Sequence, residues 1–385
     1  NLGLVTTQTN SGGSGENALI SYLARFNYDY KGILLLETDF RRDGSSKFVG
    51  ENRWANFMGF LGAVRLSEIP SIKQTNVFDN LKIRSTFGET GSQTGIGNYD
   101  FVSGISTGST VFGYTGTITP TSGLSGITSS DRTWERVKTT NLALDFAVLK
   151  NRLSGTFEIY ERENVGMLIN ETVPATLGGT TPKLNKGNFV AKGWEVELHW
   201  KDRINDDFKY NIGVTLSDAK TEITKYGGGV VIAAGLNNTV GGSQFIVGKP
   251  INAIYSYKTD GYLQNLAEVA AYYTQITQTT GGINPVQGTT NQLIPGSVRR
   301  VDVNNDGRIT TADLVYYGDA NPHYLFGVNL DLNYKNFDFR FFIQGVGQQY
   351  NVRTGALSSP FTSNFTNQNA TFYGQTWTAE NTDAR

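Results

Sequence analysis

From residue 189 to residue 344 the chain repeats one pattern: apolar residues at every second position over about ten residues, then a short polar turn. Trp194, Val196, Leu198 and Trp200 alternate with Glu195, Glu197, His199 and Lys201. After a turn at 202–207, Phe208, Tyr210, Ile212, Val214 and Leu216 alternate with Lys209, Asn211, Gly213, Thr215 and Ser217. The pattern returns as Phe326, Val328, Leu330, Leu332 and Tyr334, and again, beyond Lys335 and Asn336, as Phe337, Phe339, Phe341 and Ile343. Period-two alternation gives a strand one apolar and one polar face. Strands of roughly 9 to 11 residues are long enough to cross a bilayer when tilted. The pattern predicts an all-β fold, a transmembrane antiparallel β-barrel with an apolar outer face and a wet lumen.

Ten strands are predicted, at 18–30, 33–42, 56–66, 81–88, 137–148, 152–163, 189–201, 208–219, 324–334 and 337–348. Successive antiparallel strands reverse direction, so every second connection lies on the same side. Tight connections at Lys31, 150–151, 202–207 and 335–336, with a moderate one at 67–80, share one side. Long ones at 43–55, 89–136, 164–188 and 220–323 share the other. Outer-membrane barrels have short periplasmic turns and long external loops. Tyr28, Tyr30, Trp200, Phe208, Tyr334 and Phe337 then fall near the periplasmic interface, where amphipathic rings are favoured. A soluble β-sandwich also alternates; strand length and the large aromatics gathered on one face favour the barrel. The first strand lacks a partner and the chain stops after a loop. Strand edges in hydrocarbon leave backbone groups unsatisfied, so this segment either pairs with strands outside it or is not in a membrane.

Composition narrows the classes. Lys plus Arg number 33 against 34 Asp plus Glu, which gives no reason to expect a nucleic-acid partner. The absence of Cys removes disulfides, thiolate metal sites and Cys nucleophiles. No run approaches the roughly 18 apolar residues of a membrane helix. The chain opens on Asn1-Leu2-Gly3 rather than on a signal peptide, and reads as an internal piece of a longer precursor.

One stretch carries chemistry. From Asp302 to Asp313, oxygen donors stand at positions 1, 3 and 5 (Asp302, Asn304, Asp306), with Gly307 at 6, Ile309 at 8 and an acid at 12. This is the signature of an EF-hand-type loop, with Asp313 in place of the usual Glu. Alternate oxygens let the chain wrap a hard cation, Gly307 provides the sharp turn, and Arg308 offers its backbone carbonyl. The expected cofactor is Ca²⁺, with Mg²⁺ as runner-up; an Asx-rich turn without metal is the plainer alternative. The loop lies in the longest external connection, 220–323, where a cation would stiffen a surface facing substrate or partner.

No catalytic residues are predicted. Glu195 and Glu197 stand two apart on one strand face, as lumenal charges beside Lys201 rather than a glycosidase pair. His199 and His323 are far apart and lack a triad around them. Gly227–Gly229 and Gly241–Gly242 lack the Lys of a phosphate loop. Arg299-Arg300 reads as a local ion-pairing site.

Ordered strings along the chain carry a resemblance. Arg42-Asp43-Gly44-Ser45-Ser46-Lys47-Phe48 is followed by Asn52-Arg53-Trp54, Arg65-Leu66-Ser67, Leu81-Lys82-Ile83-Arg84, Phe87 to Gln93 and Ile96-Gly97-Asn98-Tyr99. Then come Trp134-Glu135-Arg136, Asn141-Leu142, Asn185-Lys186-Gly187-Asn188, Lys192-Gly193-Trp194-Glu195, Gln344-Gly345 and the segment Trp377 to Arg385. Together these resemble the SusC/RagA family of TonB-dependent outer-membrane transporters of Bacteroidetes. The irregular Val49-Gly50-Glu51 and the segment Met58 to Leu61 depart from the family pattern as loop and strand-face variation.

The resemblance implies a barrel of about 22 strands with a plugged lumen, of which this chain supplies roughly the latter-middle part. No plug domain, TonB box or closing strands are found in it. The resemblance also implies import of large nutrients, chiefly oligosaccharides and less often peptides, at the bacterial outer membrane. The implied partners are a SusD-like surface lipoprotein and a TonB complex acting through the N-terminal plug. A competing reading is a secreted, Ca²⁺-braced glycan-binding or adhesion protein.

Overall fold

The computed structural model describes residues 12–112, 117–124, 126–170, 182–227, 239–240, 246–276, 293–352 and 370–383. Its strands run in chain order as β1 (Leu19–Tyr30), β2 (Leu34–Ser45), β3 (Trp54–Arg65), β4 (Phe78–Ser92), β5 (Ile105–Phe112), β6 (Thr117–Leu124), β7 (Glu135–Val148), β8 (Leu153–Asn170) and β9 (Lys183–Arg203). They continue as β10 (Phe208–Tyr226), β11 (Thr239–Val240), β12 (Ala253–Tyr257), β13 (Thr259–Tyr262), β14 (Val298–Arg300), β15 (Leu314–Asp319), β16 (His323–Tyr334) and β17 (Phe337–Gln348). Ten of them form one sheet in the order β1-β2-β3-β4-β7-β8-β9-β10-β16-β17. All ten are the strands that alternation predicts, and neighbours in the sheet follow one another along the chain.

The tight connections gather at one end of the sheet. Lys31 and Gly32 both have positive φ, and Ile33 N donates to Tyr30 O at 3.0 Å, closing a reverse turn whose twist suits a hairpin. At the β7–β8 corner Leu149, Lys150 and Asn151 all take left-handed φ. That costs non-glycine residues energy, and Asp79 Oδ2 offsets it by accepting from Asn151 N at 2.7 Å. Lys335 makes the corresponding left-handed step before β17.

Register sorts the side chains into two faces. One row runs Ile83, Leu144, Phe157, Val196 across four strands, and the next runs Ser85, Leu142, Ile159, Trp194. Large apolar members of these rows stay exposed, Phe157 at 44% and Leu142 at 48%. The intervening rows are polar: Lys82, Asp145, Thr156, Glu197, and Arg84, Ala143, Glu158, Glu195. Continuous exposed apolar surface on one face and paired charge on the other is the arrangement of a barrel wall between lipid and lumen. β1 and β17 are the sheet's edges.

Several strands are longer than alternation predicts. β8 runs on to Asn170 and β9 starts at Lys183, so the 164–188 connection shrinks to 171–182. Above the hydrocarbon both faces of a strand can be polar, and the period-two signal fades there although the ladder continues. The predicted loops also hold structure of their own. Residues 89–136 contain the β5–β6 hairpin. Residues 220–323 contain the sheet β11-β12-β15, the pair β13–β14 and a helix at Leu266–Gln275.

By contacts the chain divides into two compact units. The first comprises residues 1–220, 224–229 and 327–343, and the second 221–223, 230–326 and 344–385. The second has its own core of Tyr257, Leu263, Val269, Tyr272, Ile276, Leu293 and Ile309.

The face assignment has a direct consequence. Val196→Arg, deeper in the outer apolar rows than Leu198, should destabilise the full-length protein in lipid by about 2–4 kcal/mol, whereas Thr215→Arg on the polar face should cost far less. Urea unfolding in lipid vesicles, followed by heat-modifiable gel mobility, measures the difference.

Candidate functional site

The polar face of the ten-stranded sheet is wired by ion pairs across strands. Arg84 reaches Asp145 at 3.3 Å and Glu158 at 2.6 Å, and Lys82 reaches Asp145 at 2.9 Å. Thr156 Oγ1 donates to Asp145, and Asn141 Nδ2 to Glu158. Further along, Arg340 pairs with Asp331 at 2.7 Å, and Asn211 donates to the same carboxylate. At β1 and β2, Arg25 pairs with Asp39 at 2.6 Å. Glu195 and Glu197 border a recess of about 320 Å³ that Arg84, Glu158, Thr215 and Ser217 also line. Such a face presents fixed charge and hydrogen-bonding groups side by side. Its two candidate acids have other partners: Glu197 Oε1 accepts from His199 Nε2 at 2.6 Å, and Glu195 lies across the strand pair from Glu158.

In the second unit, the predicted cation loop forms a tight, self-bonded turn. Asp302 Oδ2 accepts from Gly307 N at 2.6 Å and Asp306 Oδ1 from Arg308 N at 2.8 Å. Asn304 Oδ1 accepts from Asp306 N at 3.0 Å. Asp313, wholly buried, closes the loop by accepting from Val303 N at 2.9 Å and Thr310 N at 2.7 Å. Asn305 and Gly307 supply the left-handed backbone. All side-chain donors are hard oxygens, which fit Ca²⁺ or Mg²⁺ in kind. Among the described residues no three His, Cys, Asp or Glu side chains stand grouped to hold a metal, because each carboxylate is turned onto loop amides.

The remaining candidates resolve as local structure. Arg299 pairs with Asp260 at 2.9 Å, as expected of a surface arginine, but Arg300 is buried with its guanidinium over the Tyr257 ring. Burial pushes the Arg300 guanidinium below its usual range. His323 lies 3.3 Å from Asp319. Gly228–Gly229, Gly241–Gly242, Val230–Ala234 and the last two residues lie outside the described residues.

No family model matches the chain. Curated relatives do. Two TonB-dependent receptors of Formosa agariphila are 27% and 28% identical over 342 and 349 residues, 87% and 89% of this chain. TonB-dependent receptor SusC of Bacteroides thetaiotaomicron is 27% identical over 344 residues. The chain spans about a third of these relatives, 32% of the first. Among solved structures, the RagAB peptide importer in its closed-closed state matches 86% of this chain and 33% of its own, with a TM-score of 0.65 at 21% identity. Its open-open state matches 89% of this chain and 35% of its own, also at 0.65. The resemblance to the SusC/RagA family is borne out.

The family strings of this SusC/RagA-like chain have structural jobs. Phe48, Ala55, Phe57, Ile96 and Trp134 form a buried cluster that joins the start of β3 to the connections around it. Trp134 Nε1 donates to Arg53 O at 3.2 Å, and Asn52 Nδ2 to Ser130 O at 3.1 Å. Ser45 Oγ bonds Gln93, and Asp43 pairs with Arg41 at 2.7 Å. Gly91 leaves space that Phe57 and Trp134 fill; any Cβ there would collide with both rings. Asn185 donates to Thr133 O and Gly166 O while accepting from Thr133 N. These motif residues pin the outer connections to the strands.

Sequence reasoning missed the tyrosines of the second unit. Their signal was present as aromatics in a loop of 104 residues, but without periodicity to place them. Tyr272 donates to Arg300 O at 2.8 Å, and burial first of all pushes its hydroxyl up to about 12. With the folded value above the unfolded one, this group's contribution to stability is complete below about pH 10 and is lost as pH rises through about 12. Thermal unfolding of the second unit should therefore steepen in that window, and Tyr272→Phe should flatten the alkaline limb.

Proposed function

We propose that this chain forms a large part of the barrel wall and outer loops of a TonB-dependent importer in the bacterial outer membrane. The observation that carries the reading is the ten-stranded sheet, apolar on one face and ion-paired on the other, in a chain related to TonB-dependent receptors over 87% of its length. Its cargo is large nutrients, oligosaccharides above all. The wall conducts and the outer loops bind. A SusD-like surface lipoprotein covers the loops, and a TonB complex drives a plug within the lumen. The role is binding and conduction rather than bond-breaking. Peptide import is the second reading, favoured by the solved neighbours' description as peptide importers.

Purification of the full-length protein from source membranes in mild detergent tests the assembly. A lipoprotein should co-purify in fixed ratio, and deletion of the gene should abolish growth on one polymeric nutrient while growth on its monomer persists. A protein that leaves the cells without detergent would overturn the importer in favour of the secreted glycan-binding module.

We also infer that Asp302, Asn304, Asp306, the Arg308 carbonyl and Asp313 take up Ca²⁺ by turning oxygens inward from the loop amides. Mg²⁺, with its stricter octahedral demand, fits less readily. CaCl₂ at a hundredfold excess over its dissociation constant should stabilise the second unit by about 2.7 kcal/mol, read as a raised melting temperature. Asp302→Ala should remove the shift; an unchanged melt of the wild type would leave the loop a metal-free turn.

A further inference from the structure

We propose that Tyr316 and Tyr350, flanked by Lys249 and Gln348, form a stacking platform for a pyranose ring of an oligosaccharide. The proposal rests on the importer reading and names where that protein would grip its cargo. Tyr316 lies on β15, beside Tyr255 of β12, with ring centroids 5.7 Å apart and planes at 56°. Lys249 Nζ stands 5.1 Å from the Tyr316 ring centroid. Tyr350, two residues past β17, lies against Gly318, where a Cβ would collide with the ring; the glycine has φ +149°, so a side chain is excluded by both space and backbone.

Exposure separates these rings from core tyrosines. Tyr255 and Tyr257 are 7% and 3% exposed, whereas Tyr316 and Tyr350 keep 37% and 40% open although neighbours fix them. A half-open, immobilised ring loses little side-chain entropy on binding. The C–H face of a pyranose carries partial positive charge and stacks on the negative π face of such a ring.

The polar surroundings favour the same ligand. Gln348 Nε2 donates to Tyr350 Oη at 3.2 Å, and Lys249 supplies a cationic donor, so hydroxyls above the rings meet hydrogen-bonding groups. Asp319 is buried and its carboxylate is engaged, accepting from Asn321 N at 2.9 Å and lying 3.3 Å from His323, so it is not presented to a ligand above the rings.

A peptide would most simply add itself to the open edge of β15. At its last residues that edge is already taken: Tyr350 N donates to Asp319 O at 3.4 Å and Gln349 Nε2 to Ala320 O at 3.0 Å. Ring stacking needs no strand edge.

The test is an array of glucan, xylan, mannan and fructan oligosaccharides probed with the full-length protein in detergent, beside tryptic casein peptides. Hits are then titrated by calorimetry. Wild type should retain at least one oligosaccharide. Tyr350→Ala and Tyr316→Ala should each weaken it by about tenfold, the scale of one stacking contact. Tyr350→Phe should bind nearly as wild type. Tyr350→Leu, which keeps apolar bulk without a π face, should bind like the alanine variant and covers any folding defect. Oligosaccharide binding unaffected by the alanine variants would overturn the platform and leave the importer intact. Retention of peptides alone would overturn the platform and turn the importer reading to peptides. Retention of neither overturns the platform.

Discussion

Every peptide group that enters hydrocarbon must find its hydrogen-bond partner within the protein, since an unsatisfied one costs several kcal/mol. The ten-stranded ladder is the answer this chain gives, and the rest follows from it. Pairing neighbours in sequence order makes hairpins, and hairpins put alternate connections on opposite ends. The ends then diverge: one carries turns as short as Lys31–Gly32, the other carries two structured insertions. Strand edges at β1 and β17 are where the same constraint is still unmet in this segment.

The ladder fixes which residues share a face, and so which charges must live together. Glu158 stands opposite Glu195 across β8 and β9, an unfavourable placement for like charges. Arg84, two strands away on β4, draws Glu158 to itself at 2.6 Å, and Asn141 on the intervening β7 holds its other oxygen. Glu158 thus belongs, with Asp145, to a cross-strand network that spans β4, β7 and β8. Because the face is open to water, each pair is worth little in stability; its effect is a wall that stays hydrated and keeps apolar side chains on the other side.

Where packing is periodic, the sequence was readable. All ten strands, the parity of their connections and the two faces follow from apolar residues two apart, as in Trp194, Val196 and Leu198. Legibility ended at the hydrocarbon boundary. β9 begins at Lys183 rather than at 189, because Leu184 to Asn188 are buried or half-buried against neighbouring connections, as Asn185 is on Thr133 and Gly166, and packing of that kind leaves no period of two. The small strands β11 to β15 are two to six residues long, too short for any period to register. The Asx loop was legible as a turn, since Gly307 and Asn305 demand left-handed backbone, while its carboxylates' orientation onto amides depends on the fold around Asp313.

The strings that carry the family resemblance fall mostly on architecture. Trp134, Phe48, Asn185 and Gly91 bury themselves or bond backbone, and substituting them would disturb the attachment of loops rather than the choice of cargo. On the importer reading proposed above, cargo selection resides in residues that can change without loosening that frame. The second unit meets this condition: its core is its own, and its half-open tyrosines are fixed by neighbours such as Gly318 and Lys249 rather than by the strand ladder.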